Sequence, residues 1–338
     1  MLRRRLEFRA ARMLRKVGYH LVRVSPEERA YIEAEGSSST PLPSGAEAFL
    51  SSDNPRLRSL REAYARVDLP VTRHSRWAED NVDWLVDLPR FRGDTLYMWS
   101  FREMPRVTAM KYFIYAEYMR ARDHASLLEK LGEDGAFGCW TWDFDGRGRF
   151  SKDLLDAVNE IYFLDRHVGV LERPSLRVLD IGAGYGRFAH RMAQATPALT
   201  DYCCVDAVPE STFLAEYYLD FRGVAPPARV VPLDRLDEEL GEDSFDLAVN
   251  IHSFVECPYA AIEWWIGLLR RLQVPKVLIV PNERDRLITL EPDGTKRDFA
   301  HLFADAGYRA VAVEPIIDDP VMERLTGFDF RFLLFELT

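Results

Sequence analysis

The pattern of apolar and polar positions changes character near residue 176. From there on, short apolar runs recur at 176–180, 201–206, 228–231, 245–250, 275–280, 309–314 and 329–337. Stretches with apolar residues at helical spacing lie between them, at 187–195, 209–221, 258–272 and 298–307. Strand and helix in alternation predict an α/β fold with a parallel sheet covered on both faces. Earlier segments read differently. Residues 57–68 and 107–132 carry helical spacing, the latter through Met110, Tyr112, Phe113, Tyr115, Tyr118 and Met119. Residues 136–150 alternate aromatic with small or polar residues, which suits a strand or hairpin. Residues 151–168 predict a helix with Ser151 as N-cap and Leu154, Leu155, Val158, Ile161, Tyr162 and Leu164 as its apolar stripe. Residues 35–54 are Ser-, Pro- and Gly-rich and read as a linker.

The most informative turn follows the first run, Val178-Leu-Asp180-Ile-Gly182-Ala183-Gly184-Tyr185-Gly186. An apolar strand ends beside an acid, glycines alternate, and a helix begins. Glycines there supply unusual φ values and let the backbone approach a ligand, and the helix start adds free N–H groups. A dinucleotide site wants G-x-G-x-x-G around a pyrophosphate. Here the spacing is G-x-G-x-G, and Asp180 would repel that anion. A carboxylate suits a ligand with a free ammonium group, and S-adenosylmethionine (SAM) carries an ammonium and a sulfonium. Asp206 ends the next run, 20 residues past Gly186, where an acid can accept both ribose hydroxyls. Asp234, after Leu233, falls where the adenine edge would lie. A glycine loop serving NAD(P) or FAD, or packing alone, is the alternative.

Composition narrows the partners. The chain has 338 residues, 47% hydrophobic, with 54 acids against 44 Lys and Arg and a net charge of −10. Nucleic-acid binders usually show a basic footprint, so no nucleic-acid partner is expected. Cysteines 139, 203, 204 and 257 form no C-x-x-C pair, and adjacent Cys203 and Cys204 on a strand face opposite ways. This argues against a disulfide framework or zinc site and for a reducing, cytoplasmic setting. The first 24 residues hold eight Lys and Arg against one acid, Glu7, among scattered apolar residues. They read either as a basic amphipathic helix touching anionic lipid at the inner membrane face or as a docked helix. No apolar stretch suits a signal or spanning segment.

A hydroxyl acceptor needs a base, because an alcohol is a weak nucleophile at neutral pH. The fourth strand ends in Asn250-Ile251-His252-Ser253-Phe-Val-Glu256-Cys257. His252 is the expected base, since imidazole titrates near neutrality. Glu256, one helical turn on, is expected to orient it or to bind a substrate hydroxyl; a plain helix-start acid is the alternative. Asn250 and Ile251 are expected at the cofactor. The tetrapeptide Asn/Asp-Pro-Pro-Tyr/Phe, usual for methylation of planar base amino groups, is missing, which disfavours that chemistry. Asn282 and Glu283 end the fifth strand and are candidates to hold acceptor polar groups. Asn159, on the preceding helix, and Trp142, among Trp77, Trp99 and Trp140, are further acceptor candidates. Aromatic rings bind the C–H faces of sugars, but core packing is the common use of a tryptophan.

At the glycine loop and Asp206 the chain resembles class I SAM-dependent methyltransferases over residues 170–338. That resemblance implies a Rossmann-like sheet of seven strands, the last antiparallel, with SAM across the strand ends. Three stretches are more particular: Ser151-Lys-Asp153-Leu-Leu-Asp156-Ala-Val-Asn159-Glu160-Ile; Leu179 to Met192; and Val205-Asp-Ala207-Val-Pro209-Glu-Ser-Thr-Phe213 with Asn250-Ile-His-Ser253. Together they resemble the sugar O-methyltransferases of the NanM-like group. The resemblance implies a sugar or glycoside acceptor, with Gly182, Gly184, Gly186 and Asp206 on SAM and His252 facing the acceptor. Macrolide sugar methyltransferases sometimes use magnesium; no compact Asp/His cluster declares a metal here. The expected organisation is a basic N-terminal helix (1–34), a linker (35–56), a mostly helical, acceptor-binding cap (57–170) and a SAM-binding domain (171–338). Alternatives are a methyltransferase for another small molecule or a protein side chain, and a SAM-binding, non-catalytic subunit of a glycan-assembly machine.

Overall fold

A computed structural model describes residues 40–98, 107–143, 148–282 and 286–338. The basic N-terminal segment, Trp99 and Glu283 lie outside them. Every apolar run read as a strand is one, because a buried run must pair its backbone groups with a neighbour. The strands are β1 (Leu176–Ile181), β2 (Leu199–Val205), β3 (Ala228–Val231), β4 (Leu247–Ile251), β5 (Lys276–Val280), β6 (Tyr308–Pro315) and β7 (Arg331–Leu337). They form one sheet in the order β3-β2-β1-β4-β5-β7-β6. The first five are parallel, and β7 runs antiparallel to both β5 and β6. This is the Rossmann-like methyltransferase sheet. The chain leaves β1 toward β2 on one side and later returns to β4 on the other. Strand order therefore reverses at β1, which opens a crevice at its carboxyl end.

The longer helices, in chain order, are α1 (Pro55–Tyr64), α2 (Glu79–Leu85), α3 (Val107–Arg120), α4 (Leu127–Leu131), α5 (Lys152–Val168), α6 (Arg187–Ala195), α7 (Pro209–Phe221), α8 (Tyr259–Arg271), α9 (Ala300–Asp305) and α10 (Pro320–Thr326). Side chains alternate across a strand, so Leu179 and Ile181 enter one core and Val178 the other. The first core takes α1, α7 and α8; the second takes α3, α5 and α6. Cys203 and Cys204 divide the same way, as expected.

Two expectations change. The helix read over 107–132 breaks after Arg120. The Asp123 carboxylate accepts from the N–H groups of Leu127 (2.7 Å) and Leu128 (3.1 Å) and starts α4 afresh. Residues 40–54, read as linker, are packed: a helical turn at Ala46–Phe49 places Ala46 and Leu50 in the same core as Leu57 and Ile181. Among the described residues the hairpin is present as Trp142–Asp143 paired with Phe150 and Arg149. Ser151 does cap α5, its Oγ accepting from Leu154 N–H at 3.0 Å. No helix among the described residues is long and apolar enough to cross a membrane.

Four charged side chains are sealed inside. Arg92, Glu133, Asp153 and Arg191 are each at most 2% exposed. The Glu133 carboxylate receives Arg92 Nη2 at 2.8 Å and Arg191 Nη2 at 2.9 Å, and Asp153 receives Arg191 Nη2 at 2.8 Å and Arg92 Nη2 at 3.3 Å. Burial alone would raise both acids, but the two guanidiniums hold Glu133 below and Asp153 well below the usual carboxylate range. Removing one member strands a buried charge. Arg191→Met is expected to cost about 3–5 kcal/mol, read as a lower urea midpoint; a loss under about 1 kcal/mol would show the network to be dispensable.

Candidate functional site

The crevice at β1 is built by its glycine turn. Gly182, Gly184 and Gly186 have φ of 72°, 57° and 82°, a region other residues enter at a cost. The N–H groups of Gly182 and Ala183 donate to Val205 O at 2.9 and 3.2 Å, which folds the turn onto the end of β2. Asp206 completes it: Oδ2 accepts from Gly184 N–H and Oδ1 from Val208 N–H, both at 2.9 Å. A cavity of about 640 Å³ opens above this turn, a volume typical of small-molecule sites.

Of the residues expected at the cofactor, Asp180, Gly182, Ala183, Gly184, Tyr185, Asp206, Ala207 and Ile251 line this cavity. Asp180 is buried and accepts from the Tyr202 hydroxyl at 2.9 Å. Burial pushes Asp180 up to about 7 and Asp206 up to about 6. Neither carboxylate forms an ion pair with a side chain among the described residues. Tyr185 presents only part of itself, since its hydroxyl donates to Asp153 Oδ2 at 2.7 Å. Gly186 lies off the cavity, against Leu219.

Besides Gly186, three cofactor expectations lie off the cavity. Asn250 is buried behind the wall, where its Nδ2 donates to Ile181 O (2.7 Å) and its Oδ1 accepts from Phe254 N–H (3.0 Å); it pins the tips of β1 and β4 together. Leu233 and Asp234 do not line the cavity. Tyr64 of α1 intervenes: its hydroxyl accepts from Leu233 N–H at 2.9 Å. The apolar wall next to Asp206 is supplied instead by Val208, Val71, Leu96, Pro258 and Trp265.

Among the acceptor candidates, His252, Glu256 and Asn282 line the cavity together. Asn282 Nδ2 bridges His252 O (3.3 Å) and Glu256 Oε1 (3.4 Å). Glu256 Oε2 accepts from Trp77 Nε1 at 2.7 Å, and burial pushes this acid up to about 7. His252 has φ of 67°. Burial, helped by Lys152 and Arg187, holds its imidazole well below the usual range, so the ring is neutral at neutral pH. Its Nδ1 is buried with no partner. Trp142 and Asn159 are not at the site. Trp142 is buried against Tyr112 (4.4 Å between centroids), and the Asn159 amide is used by Tyr115 Oη (3.1 Å) and Ile316 O (2.7 Å).

Sequence reasoning passed over Tyr97, Lys111, Lys152 and Arg187, all on the cavity wall, where Trp77 of the four tryptophans considered for the acceptor also stands. Tyr97 lies against Gly184, with its hydroxyl 3.0 Å from Ser211 Oγ. Arg187 stood directly after the last glycine, a position that could have marked it. Nothing periodic marks the others. Among the described residues no cluster of three or more His, Cys, Asp or Glu could hold a metal ion.

Gly182 is the tightest point of the turn. A Cβ there would lie 2.1 Å from Ser253 Oγ and 2.5 Å from Ser253 Cβ. Gly182→Ala is expected to lower the thermal midpoint through both clash and left-handed strain, the latter about 1–3 kcal/mol. Adding Ser253→Gly should restore only the steric part. An unchanged midpoint for the single variant would contradict this geometry.

No known family model matches the chain, and no curated protein does. Solved structures with a similar fold include the [4+2]-cyclase SpnF (15% identity, TM-score 0.40, 67% of this chain and 95% of that one). Magnesium protoporphyrin IX methyltransferase from Synechocystis PCC 6803, solved with bound SAM, shares 13% identity at TM-score 0.40 over 68% of this chain and 97% of that one. A SAM-dependent methyltransferase from Leishmania major shares 17% identity at TM-score 0.41 over 54% and 71%.

Proposed function

We propose that the protein is a SAM-dependent methyltransferase acting on a sugar hydroxyl. The observation that carries the cofactor is a charge pattern in the crevice. Asp180 and Asp206 are buried carboxylates that face the cavity without a cationic side chain paired to them. Arg187, whose charge is felt at Asp180, bonds Glu160 through Nη2 (2.9 Å to each oxygen) and leaves Nη1 buried with no partner. An acid beside a spare guanidinium N–H matches an amino-acid zwitterion, with ammonium on Asp180 and carboxylate on Arg187. Asp206, held by the Gly184 and Val208 N–H groups on the cavity wall, is the carboxylate assigned to the ribose hydroxyls. Bound there, SAM would supply an electrophilic methyl group on a sulfonium.

The chain's own residues do the rest. Trp77, Tyr112, Phe328 and Phe330 offer rings for sugar C–H faces, and Asn282 and Glu256 offer hydroxyl partners. This wall, together with the sequence resemblance, supports the sugar reading. Proton removal falls to His252 or Glu256. A neutral imidazole held well below its usual range is available but weakly basic, whereas an acid near 7 is matched to the task. With cofactor and acceptor saturating, a Glu256 base gives a rate that rises through about pH 7, and Glu256→Gln removes that limb. His252→Ala with a rate loss above that of Glu256→Gln would assign the proton to the imidazole.

Calorimetry tests the cofactor. SAM should bind and NAD should not, and Asp206→Asn should weaken SAM about tenfold or more. The ammonium favours ionised Asp180, which in the free protein titrates at about 7, so binding should release protons below that pH. Affinity then falls as pH drops through 7. Above about 8 the cofactor's own amine loses charge, so affinity should peak between the two. A titration with no heat from SAM at pH 7.5 overturns the cofactor, and with it the reaction.

A further inference from the structure

The cavity is electrically divided. At one end stand Asp180, Asp206 and Glu256; Asp206 raises both other acids, which places the three within each other's field. The His252 ring feels Lys152 and Arg187 and no acid is among the charges that shift it, although Arg187, which the cofactor uses, is felt at Asp180 too. Lys152 is matched by Asp156 at 2.5 Å and Arg187 by Glu160. Lys111 also lines the cavity, and it has no ion pair and no hydrogen bond among the described residues. Its Nζ lies 3.5 Å from where a Cβ on Gly327 would be, next to Phe328, and Phe330 meets His252 edge to face at 5.9 Å between centroids. Lys111 therefore belongs to the His252 end.

One further atom points the same way: His252 Nδ1 is buried without a partner, and Ser75 Oγ, next to Arg76 whose N–H donates to Glu256 O at 3.5 Å, is a second unpartnered buried atom on the cavity wall. Buried polar groups are nearly always satisfied in a complete structure. An unpaired ammonium and a spare hydroxyl in one cavity are satisfied by a ligand rich in acceptor oxygens. The cationic cofactor belongs with the carboxylates, so these donors remain for the acceptor.

We infer that the acceptor carries an oxyanion, a carboxylate or a phosphate, and that Lys111 receives it. This rests on the methyltransferase reading for the identity of the second ligand. An uncharged sugar would leave Lys111 facing a ring or a hydroxyl. A sugar acid or sugar phosphate pairs it and fixes which hydroxyl turns toward His252 and Glu256. Lys111 is thus a specificity residue: it discriminates among acceptors and takes no proton.

The test separates the two readings. S-adenosylhomocysteine is first titrated into the full chain by calorimetry; failure there counts against the cofactor alone. Inorganic phosphate, glucuronate, glucose 6-phosphate and methyl glucoside are then titrated into the protein with and without S-adenosylhomocysteine. At least one charged sugar should bind about tenfold or more tighter than methyl glucoside. Comparison of glucuronate with glucose 6-phosphate tells carboxylate from phosphate. Lys111→Gln should abolish the preference, Lys111→Arg should retain most of it, and neither should change S-adenosylhomocysteine affinity, which also reports that the variants are folded. Equal binding of charged and neutral sugars, no binding of phosphate or a charged sugar in either state, or a preference that survives Lys111→Gln overturns the inference.

Discussion

The cavity depends on a buried exchange of charge between Arg92, Arg191, Glu133 and Asp153. These residues come from four separate stretches: the segment after α2, the turn after α4, the first turn of α5, and α6. A half-formed version leaves an uncompensated ion in a low-dielectric core, which costs more than the completed network returns. The four stretches therefore come together or not at all. Through Tyr185, whose hydroxyl donates to Asp153, the network reaches into the glycine turn. Through Arg92 it brings the N-terminal residues over the sheet's carboxyl edge. The turn's position is thus set from behind as well as by its own glycines.

The N-terminal residues are consequently part of the site. Tyr64 takes the Leu233 N–H, beside the Asp234 expected at the adenine edge, Tyr97 covers Gly184, and Trp77 holds Glu256. The described residues between 40 and 170 share both cores with the sheet through their apolar side chains. Closing the site with core residues excludes water, and exclusion of water raises Asp180, Asp206 and Glu256 toward neutrality. Burial and electrostatics are one property here, because the roof that encloses the cavity also tunes its acids.

The same burial separates two residues that looked alike in sequence. His252 and Glu256 both follow β4 and both face the cavity, yet desolvation drives them apart. It raises an acid and lowers a base, and the neighbouring Lys152 and Arg187 push the imidazole further down. The expected base is left weak and the expected helper is tuned near neutrality. A histidine's ordinary titration range is no guide once the ring is enclosed beside cations.

Seven strands, their helical connections and the glycine turn with its two acids were readable from the chain, because strand and helix periodicity and left-handed φ are local demands on residue type. Boundaries shifted by a residue or two, except where α1 ended at Tyr64, four residues before the end of its apolar spacing, and where Asp123 restarted a helix that the spacing had run through. The structure places Gly186, Asn250, Leu233, Asp234, Trp142 and Asn159 off the cavity, for a common reason: a residue looks the same in sequence whether it faces the cavity or is spent on a neighbour. Asn250 is spent on Ile181 and Phe254, and Asn159 on Tyr115 and Ile316. Which partners use up a hydrogen-bonding group depends on contacts from distant segments. Local sequence therefore determined the sheet and the loop at its crevice, and long-range packing decided which side chains were left free to face it.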